Sequence, residues 1–76
     1  MEFSKLSAPT LKELFVEQLE NLILSGKLSI GEKLPSEREL ADSMQVSRSV
    51  VNAGLAEIAD KGVLEIVPRS GTYVAD

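Results

Sequence analysis

Between Gln45 and Ala56 the chain carries neither Asp nor Glu, and the only charge in that stretch is Arg48. Ser47, Ser49 and Asn52 stand close by. These side chains suit recognition of a base edge or a phosphate. Arg pairs with guanine O6 and N7, Asn with adenine N6 and N7, and Ser with either base or a phosphate oxygen. At helical spacing Arg48, Ser49 and Asn52 share the outer N-terminal face of one helix, opposite Val51, Leu55 and Ile58. A helix start adds free N–H groups and partial positive charge, which favour phosphate. Taken singly, an exposed Arg among small polar residues is ordinary solvated surface; its acid-free setting is what makes this stretch a candidate. Arg38 is a second candidate. It falls in the first turn of a helix, where a cation opposes the helix dipole at a cost of about 0.3–1 kcal/mol. A nearby phosphate would offset that cost; the ordinary alternative is an ion pair with Asp42, four residues on. Arg69 and Gly71 sit at a turn between two β-prone runs. Gly71 serves the turn first, and Arg69 either reaches a phosphate or a minor groove or is solvated.

Other chemistry is excluded by composition. There is no His and no Cys among the 76 residues. A Ser-His-Asp or Cys-His site and a thiolate zinc site are therefore impossible. The carboxylates Glu37, Glu39 and Asp42 have no base or nucleophile converging on them, and no EF-hand spacing is present, so Mg²⁺ or Ca²⁺ would bind weakly at most. The sequence predicts no enzyme, no cofactor and no resident metal. Net charge is −4, from 8 basic and 12 acidic residues. Alone, that speaks against a nucleic-acid partner, whose usual footprint is a basic domain. It would suit a protein-interaction module. The acids are unevenly placed, however: Glu13, Glu17 and Glu20 form a stripe on the first helix, read as a solvated face, and Glu57 and Asp60 lie at the far end of the third. No apolar run reaches the 18 residues that span a bilayer. Met1 to Lys5 lacks the basic and apolar regions of a secretory signal, and a cysteine-free chain fits the cytoplasm.

The elements that must position these residues are legible. Thr10 and Glu13 form a capping box that opens a helix carrying Leu11, Leu14, Phe15, Leu19, Leu22 and Ile23 on one face, with Gly26 to end it. A loop from Lys27 to Pro35 follows. Ser36 and Glu39 form a second capping box for a short helix from Glu37 to about Ser43, with Leu40, Ala41 and Met44 apolar. After a tight turn at Met44–Val46, Ser47 caps a third helix, about 47–61, closed by Gly62. Val63–Val67 and Thr72–Val74 are β-prone runs around a four-residue tip, 68–71. Helix, helix, turn, helix and hairpin make a mainly α domain with a small β-hairpin, a winged helix-turn-helix over residues 1–76.

The stretches Leu34-Pro35-Ser36-Glu37-Arg38-Glu39-Leu40-Ala41, Val46-Ser47-Arg48-Ser49, Gly62-Val63-Leu64 and Arg69-Ser70-Gly71-Thr72-Tyr73-Val74 resemble the N-terminal domain of GntR-family bacterial transcription regulators. The resemblance runs from about Leu11 to Val74. It implies a winged helix that binds double-stranded operator DNA, commonly palindromic, as part of a dimeric repressor or activator in a bacterial cytoplasm. By resemblance, Arg38 and Arg48 match DNA-contacting arginines, Ser47 and Ser49 contacting hydroxyls, and Arg69, Ser70 and Gly71 the minor-groove wing tip. The family also implies a C-terminal domain, absent from these residues, that binds a small-molecule effector and dimerises; the isolated domain is then expected to be mainly monomeric. Three departures stand out. Asn52 takes a position where arginine is common, Gly54 one where alanine is usual, and Ile66 and Val67 replace basic residues of the first wing strand. Asn52 predicts a preference shifted toward A·T at the base step facing it.

Overall fold

The computed structural model describes residues 9–75; Met1 to Lys5 lies outside them. The element order is α1 (Leu11–Leu24), α2 (Glu37–Met44), α3 (Arg48–Asp60), β1 (Leu64–Val67) and β2 (Gly71–Val74). Each helix start is a side-chain cap, which answers the unpaired N–H groups of a first turn. Thr10 Oγ1 accepts from Glu13 N at 3.1 Å while Glu13 Oε1 accepts from Thr10 N at 2.8 Å. Ser36 and Glu39 repeat the reciprocal pair at 3.1 Å each way, and Ser47 Oγ accepts from Val50 N at 3.1 Å. Between α2 and α3 the chain reverses through Gln45, which takes a left-handed φ of 56°.

The core is drawn from every element. Phe15, Val16 and Leu19 of α1 meet Leu40 and Ala41 of α2 and Val51, Leu55 and Ile58 of α3; Leu34, Leu64 and Val74 close it beneath the hairpin. One expectation is corrected. The spacing places Leu11 and Leu14 on the apolar stripe, yet they stand 57 % and 46 % exposed. At about 100° per residue, Leu14 lies about 140° around the helix from Leu19, the centre of the buried arc. Val16, which the spacing pattern left out, is buried instead and lies against Gly54 of α3. Gly54 explains why α1 and α3 meet where they do. A Cβ built on it would lie 2.4 Å from Phe15 Cδ2 and 2.7 Å from Phe15 Cε2. Only a residue without Cβ lets the aromatic ring press on the α3 backbone.

The hairpin pairs Leu64 with Val74, Glu65 with Tyr73, Ile66 with Thr72 and Val67 with Gly71. The tip is therefore three residues, 68–70, and Gly71 already belongs to β2. Ser70 N donates to Val67 O at 3.0 Å. Pro68 stands second in that turn and Arg69 third with φ 65°, the arrangement of a type II turn. The loop before α2 braces the wing, which the sequence did not reveal. Lys33 bridges to Tyr73, Gly31 N and Leu34 N donate to Val74 O and Thr72 O at 2.8 Å, and Val74 N donates to Glu32 O at 2.9 Å. The hairpin thus has a third, short backbone partner that fixes its angle to the start of α2. Among the described residues no helix is long and apolar enough to cross a membrane.

Candidate nucleic-acid interface

The eight residues singled out in the sequence fall on three segments. Arg38 is the second residue of α2 and exposed. Arg48 and Ser49 open α3, both exposed, and Asn52 follows one turn later on the same outer face. Ser47 is the α3 N-cap, so its oxygen already accepts one hydrogen bond; its O–H remains available to donate. Arg69 and Ser70 stand exposed at the wing tip, with Gly71 partly covered beside them. The Ser70 hydroxyl shares a short hydrogen bond with the Tyr73 hydroxyl, which pins the tip to its own strand.

One contact and one groove relate these segments. Asn52 Nδ2 donates to Glu37 Oε2 at 3.0 Å, tying the outer face of α3 to the first residue of α2. An open groove of about 840 Å³ runs between the start of α2 and the wing, bordered by Ser36 and Glu37 on one side and Arg69, Ser70 and Gly71 on the other. The start of α2, the outer face of α3 and the wing tip therefore adjoin one another in sequence around the molecule. Lys33 adds a further cation beside the wing. A Cβ on Gly71 would lie 2.7 Å from Lys33 Cε and 3.6 Å from its Cγ and Cδ. The Lys33 stem therefore lies over Gly71, whose φ of 151° also disfavours a side chain. The only sequence signal for Lys33 was its place two residues before Pro35.

Electrostatics separates the cations into two sets. Lys12 pairs with Glu57 at 2.9 Å, and Lys61 with Glu20 at 3.0 Å and with Glu57 at 3.9 Å. The hydrogen bond and charge of Glu57 raise the Lys12 pKa above its ordinary value, and the hydrogen bond from Lys12 holds Glu57 below the usual carboxylate range. The Lys12–Glu57 and Lys61–Glu20 pairs join α1 to the far end of α3. In contrast, Arg38, Arg48 and Arg69 have no carboxylate within ion-pair distance among the described residues. The Arg38–Asp42 pair weighed as the ordinary alternative does not form. The lysines Lys12 and Lys61 are thus paired with carboxylates between α1 and the end of α3, while the arginines stand without such partners at the starts of α2 and α3 and at the wing tip.

Three helices with a short left-handed turn between the second and third, a bracing hairpin, and unpaired arginines on those three segments define a DNA-binding winged helix-turn-helix domain. The chain belongs to the bacterial regulatory proteins of the gntR family, whose family model matches residues 11–74. It is 40 % identical over 67 residues to the HTH-type transcriptional regulator YcbG of Bacillus subtilis, covering 88 % of this chain and 29 % of that protein. It is 36 % identical over 63 residues to the Glc operon transcriptional activator of Escherichia coli, covering 83 % of this chain and 25 % of that one. The chain thus spans about a quarter to a third of the length of these two relatives. Among solved structures, the DNA-binding domain of AraR in complex with operator ORX1 matches 99 % of this chain and 93 % of its own, with a TM-score of 0.87 and 27 % identity. YtrA of Sulfolobus acidocaldarius, a GntR-family transcription factor, matches 93 % of this chain and 74 % of its own, with a TM-score of 0.83 and 31 % identity.

Proposed function

We propose that this chain is the operator-reading domain of a metabolite-responsive transcription regulator of the bacterial cytoplasm. The observation that carries the reading is the sorting of charge: arginines without carboxylate partners lie at the starts of α2 and α3 and at the wing tip, in a domain whose net charge is −4. In this reading α3 enters the major groove. Arg48 takes a guanine edge, Ser49 a base or phosphate, Asn52 an adenine edge, and Ser47 donates its O–H to a phosphate beside the α3 N-terminus. Arg38 holds a phosphate at the start of α2. Arg69, Ser70 and Gly71 approach the adjoining minor groove, with the Lys33 ammonium adding a cation at the flank of the wing. The likeness to a domain solved on its operator supports this placement of the elements. The alternative, a winged helix that binds only protein, leaves three uncompensated arginines without a role.

The full regulator acts as a homodimer on a palindromic site, with its effector bound in a separate domain. Lengths of relatives several times that of this chain support that division.

The test is selection of bound sequences from random duplex DNA, followed by two variants. Arg48→Ala costs about 1–3 kcal/mol on the selected operator and relaxes one base position. Arg38→Ala weakens all sequences alike and lowers the salt slope by about 1. Unchanged operator affinity in Arg48→Ala overturns the assignment of α3 to the groove.

A further inference from the structure

The hydrogen bond between Asn52 and Glu37 crosses from one helix to another over 15 positions of sequence. Its chemistry is asymmetric. A carboxylate accepts hydrogen bonds and has none to give, whereas the two ends of a carboxamide differ, one oxygen accepting and one nitrogen donating twice. Glu37 therefore dictates that the Asn52 nitrogen faces it and that Oδ1 faces away. Of the two hydrogens on Nδ2, one is taken by Glu37. When Glu37 takes the hydrogen trans to Oδ1, the remaining one lies on the same side of the amide as Oδ1. The free edge of Asn52 thus presents one donor and one acceptor side by side, the pair that adenine N7 and N6–H₂ require. Asn52 is exposed on the outer face of α3, so that edge is open. Glu37 is half-buried and is the first residue of a helix whose start is fixed by the Ser36–Glu39 capping box. The carboxylate is held by rigid backbone, not by a mobile loop.

We infer that Glu37 is a positioning residue for base recognition: it locks the Asn52 amide in the one orientation whose free edge reads adenine. The inference rests on the reading that α3 lies in the major groove. Without Glu37 the amide rotates between two orientations of similar energy, and part of the adenine preference is lost with the ordering of that side chain. The α2 start then contributes to base choice without touching a base.

The experiment measures a ratio at one base position. In DNA selected by the unaltered chain, the position read by Asn52 is the one whose preference disappears in Asn52→Ala. At that position adenine is favoured roughly 5- to 100-fold over the other bases. Glu37→Ala and Glu37→Gln are then compared for the same ratio, with thermal unfolding monitored to confirm the fold. Glutamine fills the same space but offers both a donor and an acceptor, so it no longer selects one amide orientation. Both variants lower the adenine ratio severalfold, and in the Asn52→Ala background Glu37→Ala changes it no further. An unaltered ratio in the folded Glu37 variants overturns the inference. So does a selected site in which no preference is lost in Asn52→Ala but one is lost in Glu37→Ala, since Glu37 would then read the base itself. Absence of any adenine preference, with operator binding still dependent on Arg48, overturns it while leaving the operator-binding assignment intact. Unchanged affinity in Arg48→Ala instead overturns the parent reading.

Discussion

Arg69 holds two roles that conflict. Its φ of 65° places a side-chain-bearing residue where glycine is favoured, at a cost of roughly 1–2 kcal/mol for an L-residue. The same position carries the wing's exposed cation. Arg69→Gly therefore leaves stability unchanged or raises it by up to about 1 kcal/mol, because relief of the left-handed backbone is set against glycine's greater freedom when unfolded. Operator affinity falls at the same time, with a salt slope about 1 smaller. Thermal unfolding and a salt titration of the one variant measure both. Lower stability with intact affinity would show that the arginine is held for the turn.

Contact between elements depends on equally local features. Gly54→Ala gains about 1 kcal/mol of helix propensity but drives a methyl into the Phe15 ring, 2.4 Å away and buried. Overpacking of this kind costs about 1–3 kcal/mol, so the variant unfolds at lower urea, and Phe15→Leu in the same chain recovers part of the loss. Additivity of the two substitutions would contradict the contact. At the other end of the α1–α3 contact, Lys12 and Glu57 give a pH-dependent tie. Glu57 is held below its ordinary value of 4.5, so its contribution is present above that value and is lost as pH falls through the lower folded value. Lys12 is raised above 10.5, so its contribution is present below 10.5 and lost as pH rises past the folded value. The pair is exposed and its effect small. Melting temperatures of the unaltered chain and Glu57→Gln differ slightly at neutral pH and converge once pH falls below the lowered folded value of Glu57.

At the scale of the molecule, one recognition helix and a sparse wing make few phosphate contacts. The isolated chain is therefore expected to bind weakly and with marked salt dependence, near the non-specific range of about 10⁻⁴–10⁻⁶ M at physiological salt. Joining two copies through an unrelated dimeric domain makes the second docking intramolecular and raises avidity on a palindromic site by roughly 10²–10⁴. Leu11 and Leu14 complicate the expectation of a mainly monomeric domain, since both stand exposed on α1. Sedimentation of the chain alone decides the matter: a monomer accords with pairing supplied elsewhere, and a stable dimer would place the pairing surface on this domain.

The caps, the order of the elements and the arginine positions were legible in the sequence because each rests on residues near one another in the chain. Thr10 with Glu13, Ser36 with Glu39, and Ser47 before Val50 define helix starts through bonds spanning three residues. The acid-free start of α3 is a property of consecutive residues. What the chain pattern left open was settled by neighbours distant in sequence. Helical spacing alone could not choose Val16 over Leu14, because the width of the buried arc depends on where Phe15 meets Gly54. The bracing of the wing by Lys33 and its loop depends on backbone pairing across some forty residues. Whether Arg38 was paired, and that Asn52 was already bonded to Glu37, were likewise undecidable from spacing. A side chain's partner is fixed by the packing of whole helices, and only the tertiary structure brings those helices together.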